Sequence, residues 1–187
     1  MTIQADLDLA GFVGAWELNT ERTSVSFRTS IAWIIRAKGT LQAIRGNALV
    51  GADGRVSGEI VINPASIDTK IKKRDNHLRS ADFFDVTKHP TITFTVAEVR
   101  LAPLGHLEVV GNLDVHGRST PLTVLAEIYL EGVSATLSTE FVITKSMLDM
   151  KNTAPAKSWV MLQAHFDPAR TKTARPSTSL PHLPPCV

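Results

Sequence analysis

The sequence predicts an all-β fold, an antiparallel barrel of about eight strands, and three observations predict it. Apolar residues recur at every second position in segment after segment, the period of a strand with one buried face. The connections are short and carry Gly, Asp or Pro, which joins antiparallel neighbours, because a parallel crossover needs a dozen or more residues. Eight or nine such segments fit into the 187 residues, the range in which an antiparallel sheet closes on itself and hides its edges. A two-sheet sandwich would satisfy the same alternation and stands as the alternative.

Strands are expected near residues 14–18, 23–29, 36–50, 54–63, 91–101, 106–116, 120–130, 132–143 and 157–167. Val25 and Phe27 alternate with polar neighbours. Val56, Ile60 and Ile62 follow the turn signal Gly51-Ala52-Asp53-Gly54. Ile92, Phe94 and Val96 interleave with Thr91, Thr93 and Thr95. Leu107, Val109, Leu113 and Val115 oppose Glu108, Asn112 and Asp114. Two further rows are Leu122, Val124, Ala126, Ile128 and Leu130, then Val133, Ala135, Leu137, Phe141 and Ile143, broken by Thr139. The last strand offers two candidate rows: Trp159, Met161, Gln163 and His165, or Val160, Leu162, Ala164 and Phe166. One segment departs from period two. Ile71 to Phe84 groups its charges and spaces Leu78, Phe83 and Phe84 unevenly, which predicts a short helical insertion near 70–85.

Charge and cysteine usage narrow the function. The net charge is +2, and the basic excess sits in Arg170, Lys172 and Arg175 near the C-terminus. The body therefore lacks the clustered Lys and Arg that nucleic-acid binding requires, and no nucleic-acid partner is expected. Half of the ten prolines fall within 168–187, a composition read as a flexible tail. Its three charges give at most weak membrane-surface contact. Residues 1–13 read as an N-terminal extension and 14–167 as one domain. Cys186 is the single cysteine, which excludes a disulfide framework within one chain. Asp6 and Asp8 stand where a secretory signal carries positive charge, so a cytoplasmic location is expected. The six histidines, His77, His89, His106, His116, His165 and His182, are far apart with no H-E-x-x-H spacing. No metal site and no required cofactor are expected.

Several spaced motifs occur in one order: Ser66-Ile67-Asp68-Thr69, Arg74-Asp75-Asn76-His77-Leu78-Arg79, Asp82-Phe83-Phe84-Asp85, His89-Pro90-Thr91-Ile92-Thr93-Phe94 and Gly111-Asn112-Leu113-Asp114-Val115-His116-Gly117. Together they resemble the YceI-like family over about residues 14–167. The resemblance implies a lipocalin-like barrel that binds a polyisoprenoid or isoprenoid quinone, and a homodimer. The sequence departs from the family pattern at Ile31 to Arg36, where relatives often carry a His-containing stretch. It departs again at Lys145 to Met150, where an Arg and an aromatic-Gly-Met sequence are usual.

Alternation alone leaves a hollow barrel and one plugged by its own side chains equally open; the resemblance favours the hollow one. The expected lining is Phe27, Phe94, Val96, Val109, Leu113, Val124, Leu137, Phe141, Trp159 and Met161, and a one-residue register error would turn any of these rows outward. Each buried methylene is worth about 0.8 kcal/mol before ordering costs, so a chain of several isoprene units reaches micromolar affinity without a hydrogen bond. Asp68, Arg74, Asp75, His77 and Arg79 form the polar group near the helical insertion. They either anchor that segment to the barrel rim or hold a ligand head group. Two other functional classes remain: an enzyme of isoprenoid or stress metabolism using Asp75 and His77, and a structural module with a filled barrel. No nucleophile elbow supports the enzyme.

Overall fold

The computed structural model describes residues 9–31, 35–144, 147 and 156–169. Among them are nine strands: β1 (Gly14–Leu18), β2 (Ser24–Ile31), β3 (Ile35–Val50), β4 (Val56–Asp68), β5 (Ile92–Leu101), β6 (Leu107–Val115), β7 (Arg118–Glu131), β8 (Ser134–Thr144) and β9 (Ala156–Pro168). One α-helix, α1 (Lys72–Arg79), lies within the expected insertion. The expected Pro-rich tail falls almost wholly outside the described residues, as do half of Ile31–Arg36 and most of Lys145–Met150.

Every pairing is antiparallel, and β2 through β9 form one closed ring in which β9 returns to β2. The two-sheet alternative is thereby set aside. Nine strands occupy eight positions because β1 and β2 share one. β1 pairs the end of β3 (Gly14 with Val50) and the end of β9 (Leu18 with Phe166). β2 continues along the same two neighbours, Val25 opposing Leu41 and Leu162. Between them the chain kinks at Asn19 to Thr23, where the Thr23 N–H donates to Asn19 O at 3.0 Å.

Bulges bend the wall as closure requires. The register shifts between Ala43 and Arg45 on β3 and between Val96 and Glu98 on β5. β4 runs to Asp68, beyond the residue 63 expected from alternation, because the ladder is interrupted and then resumes. Pro64 has no N–H to donate. The Ser66 hydroxyl takes over, donating to Asn63 O at 2.6 Å and accepting the Gln42 N–H at 2.8 Å.

The turn between β6 and β7 is made by two residues, His116 and Gly117, with φ of 52° and 75°. Two left-handed residues define the tight hairpin turn whose twist matches that of the strands. Histidine tolerates this region better than most side chains, and glycine does so freely.

Inward rows of β5, β6 and β7 bury Ile92, Leu107, Val109, Leu113, Val115, Leu122, Val124 and Ala126 in one cluster. Leu18, Val25, Ala43, Ala164 and Phe166 form a second cluster across β1, β2, β3 and β9. Helix α1 packs against β4, whose Val61, Pro64 and Ile67 are the most deeply buried large side chains. No helix among the described residues is long and apolar enough to cross a membrane.

Candidate functional site: an apolar cavity inside the barrel

The inward faces do not meet along the axis. Measured to the centre of a water molecule, the space between them is about 180 Å³, more than ten times the roughly 10–15 Å³ that one water centre needs. An eight-stranded barrel is just wide enough for large side chains to fill it. Here the wall includes the small side chains of Ala48, Ala135 and Ala164, which fill less of the interior than larger residues would.

The wall is almost entirely hydrocarbon. Ile60, Ile62, Phe94, Leu113, Phe141 and Val160 line it, as do Phe12, Val99, Ile128 and, at the barrel end where β1 begins, Trp16, Val50 and Val56. The polar residues on it are Asn47, Ser57, Glu59 and Thr139. Two of these already have partners: the Thr139 hydroxyl donates to Leu125 O at 2.7 Å, and Glu59 pairs with Arg45 at 3.3 Å. Such a lining offers dispersion contacts and little directional recognition.

Of the ten residues expected on the wall, Phe94, Val96, Val109, Leu113, Val124, Leu137 and Phe141 are there. Trp159, Met161 and Phe27 are not. On β9 the inward row is Val160, Leu162, Ala164 and Phe166, one residue out of step with the expected one. Trp159 pairs with Arg28, whose guanidinium carbon lies 5.4 Å from the indole centroid. Met161 pairs with Ser26 and Glu140 and is 45% exposed. The apolar character of Trp159 and Met161 concealed the phase, although Gln163 and His165 in the same row carried the signal. Phe27 shares the face of Val25, but its ring lies over Gly39 and beside Thr69, beyond the cavity. Trp16, Val25, Ile60, Ile62, Leu107, Leu122 and Ile128 also line the wall; all stand in strands the sequence predicts, and all but Trp16 belong to a named alternating row.

Asp68, Arg74, Asp75, His77 and Arg79 gather around α1 and do not line the cavity. Asp75 is buried, and its Oδ1 accepts the N–H of Thr69 at 2.9 Å and the Thr69 hydroxyl. Arg74 donates from Nε to Thr69 Oγ1 at 2.7 Å and from Nη2 to Thr69 O at 2.9 Å. Arg79 donates to the carbonyls of Ala65 (2.7 Å) and Ile67 (2.6 Å). Asp68 binds the backbone N–H and ammonium of Lys70, and the Lys70 hydrogen bond holds its carboxyl below the usual range. His77 is exposed and meets the edge of Phe83, ring centroids 4.9 Å apart. Arg74, Asp75 and Arg79 thus tie α1 to the end of β4, and Asp68 fixes the link between them. Among the described residues no hydrogen bond joins Asp75 to His77.

A closed antiparallel barrel with a hollow apolar interior and a short helix packed against β4 defines a small, lipocalin-like barrel. A family model described as the YceI-like domain matches residues 16–167, and the chain belongs to that family. It is 38% identical over 73 residues to a UPF0312 protein of Ectopseudomonas mendocina, covering 39% of this chain and 38% of the relative. It is 33% identical over 106 residues to a UPF0312 protein of Vibrio cholerae, covering 56% of each. These matches thus span between a third and somewhat over half of the relatives' length. Among solved structures, BcnA of Burkholderia cenocepacia superposes with a TM-score of 0.66 at 20% identity, over 80% of this chain and 98% of that one. A polyisoprenoid binding domain from Saccharophagus degradans, implicated in plant cell wall breakdown, gives 0.63 at 14% identity, over 82% and 98%. At these identities the two structures attest the fold.

Proposed function

We propose that this chain binds a long-chain isoprenoid lipid, a polyisoprenoid or an isoprenoid quinone, non-covalently inside its barrel, and sequesters or carries it without chemical change. The observation that carries this reading is the hollow, hydrocarbon-walled interior formed by the inward rows of β1 to β9. Burying apolar chain there gains about 0.8 kcal/mol per methylene, and affinity rises with chain length until the cavity is full. Membership of the YceI-like family supports the reading, as does the polyisoprenoid-binding description of the Saccharophagus degradans domain. The internal use of the Asp75 carboxylate by Thr69 supports binding over turnover.

The test is extraction of gently purified protein followed by mass spectrometry, with titration of polyprenyl alcohols and quinones of graded length. Co-purifying isoprenoid, and a melting temperature that rises with added ligand, are expected. If no lipid is recovered and none of the series binds, the carrier function is wrong.

A further inference from the structure

Outside the cavity, Asp85, His89 and the sequence-distant His116 converge. One ligand atom from each lies within 4.8 Å of the other two. Local backbone geometry makes the first two neighbours. The His89 N–H donates to Asp85 O at 2.8 Å, closing a turn of the chain that brings the two residues together. Barrel closure supplies the third, because the left-handed His116-Gly117 turn between β6 and β7 comes against this segment. The rings of His89 and His116 stand 4.6 Å apart at 46°. Gly117 permits the approach, since a β-carbon there would lie 2.8 Å from Cε1 of His89.

Two further observations point to a ligand. His116 Nε2 is buried without a hydrogen-bond partner, a condition that native structures avoid unless something else satisfies the atom. Asp85 is 13% exposed at its side chain, and among the described residues it pairs with Lys88 at 3.3 Å, a lysine 74% exposed and able to move aside.

We propose that Asp85, His89 and His116 form a binding site for a divalent transition-metal ion of the zinc type. Two imidazole nitrogens and a carboxylate oxygen suit zinc and its first-row neighbours, whereas calcium and magnesium demand oxygen ligands throughout. Bonds of about 2.0–2.2 Å to a tetrahedral ion put neighbouring ligand atoms roughly 3.3 Å apart. The cluster therefore needs to contract by about an ångström or so, within reach of side-chain rotation. None of the three residues lines the cavity, so the site is independent of the apolar ligand. A bound ion staples the turn that follows α1 to the β6–β7 hairpin.

The experiment uses the full, tag-free chain, stripped with a chelator and titrated with zinc chloride by calorimetry and with cobalt(II) by visible absorption. Uptake of one equivalent, a melting temperature that rises with the ion, and the absorption bands of four-coordinate cobalt are expected. The variant His89→Phe/His116→Asn keeps a ring against Gly117 and a residue tolerant of positive φ in the turn. It should lose more affinity than the about 10–100-fold that removal of an outer-shell partner costs. Circular dichroism of the metal-free variant checks its fold. In the parent protein, cobalt(II) should also shift the ring resonances of His89 and His116 and leave those of His77, His106 and His165 in place. No stoichiometric uptake, equal uptake by a folded double variant, or shifts confined to other histidines would each overturn the proposal.

Discussion

Phe27 lies across Gly39, its partner in the β2–β3 ladder. A β-carbon built on Gly39 would stand 2.6 Å from Phe27 Cζ and 2.9 Å from Thr69 Cγ2. Thr69 is buried and held by Asp75 and Arg74, so one contact joins the end of the barrel to the base of α1. Gly39→Ala should destabilise the fold by about 1–3 kcal/mol through overpacking, outweighing the roughly 0.4–1 kcal/mol gained from a stiffer unfolded chain. Urea unfolding of Gly39→Ala, Phe27→Leu and the double variant measures it. The double variant should recover part of the loss, because the two residues share one space; strict additivity would refute the contact.

Filling the cavity should abolish binding while sparing the fold. Val109→Trp places an indole where the wall leaves room, and affinity for a polyprenyl ligand should fall at least about tenfold, or about 1.4 kcal/mol. A melting temperature within a few degrees of the parent would show that the new ring occupies empty space.

The phase of β9 makes a sharper test. Leu162 faces the cavity and Met161 the exterior. Leu162→Ser should weaken binding by about tenfold, from lost hydrocarbon contact at about 0.8 kcal/mol per methylene. Met161→Ser should leave it unchanged. Equal effects would mean that the ligand does not occupy the interior.

Period two made the walls of β6, β7 and β8 legible because each has one predominantly apolar row, interrupted on β8 only at Thr139: Leu113, Val124 and Leu137 alternate with polar or exposed neighbours across the pleat. β9 was ambiguous because both faces begin with large apolar side chains. Its outer face uses Trp159 beneath Arg28, an aromatic contact that no periodicity encodes. The continuation of β4 past Pro64 was hidden for a related reason, a side-chain hydroxyl standing in for ladder hydrogen bonds. Asp85, His89 and His116 could not be grouped from spacing, since closure of the ring brings their segments together.

Asp75 separates anchoring from head-group recognition. Its removal leaves the N–H of buried Thr69 and the proton of its hydroxyl without an acceptor. Asp75→Ala should therefore cost about 3 kcal/mol by urea unfolding, and Asp75→Asn, which keeps an acceptor oxygen, distinctly less. Affinity for an apolar ligand should stay within about twofold wherever the variants are folded, because Asp75 is off the cavity wall. A loss of affinity with stability intact would instead assign it to a head group.

Acid should loosen the barrel at the junction of β1, β8 and β9. Asp167 Oδ1 accepts the Ser134 hydroxyl at 2.6 Å, and Oδ2 accepts the Asn19 amide at 3.0 Å. The Ser134 hydrogen bond first, and the Asn19 bond second, hold its carboxyl below the ordinary value of 3.8. The unfolded chain takes up the proton before the folded one does. This contribution is thus complete above the ordinary aspartate value and is lost as pH falls through the lower folded-state value. Asp68, held down by Lys70, and Glu98, held down by Arg100, lose their partners' stabilisation in the same direction. Unfolding measured from pH 6 down to pH 2 should show a declining acid limb. In Asp167→Asn that limb should be shallower, starting from a lower stability at pH 6, because the variant has no proton to take up at this position. Parallel limbs for the two proteins would mean that Asp167 is not among the groups that titrate on unfolding.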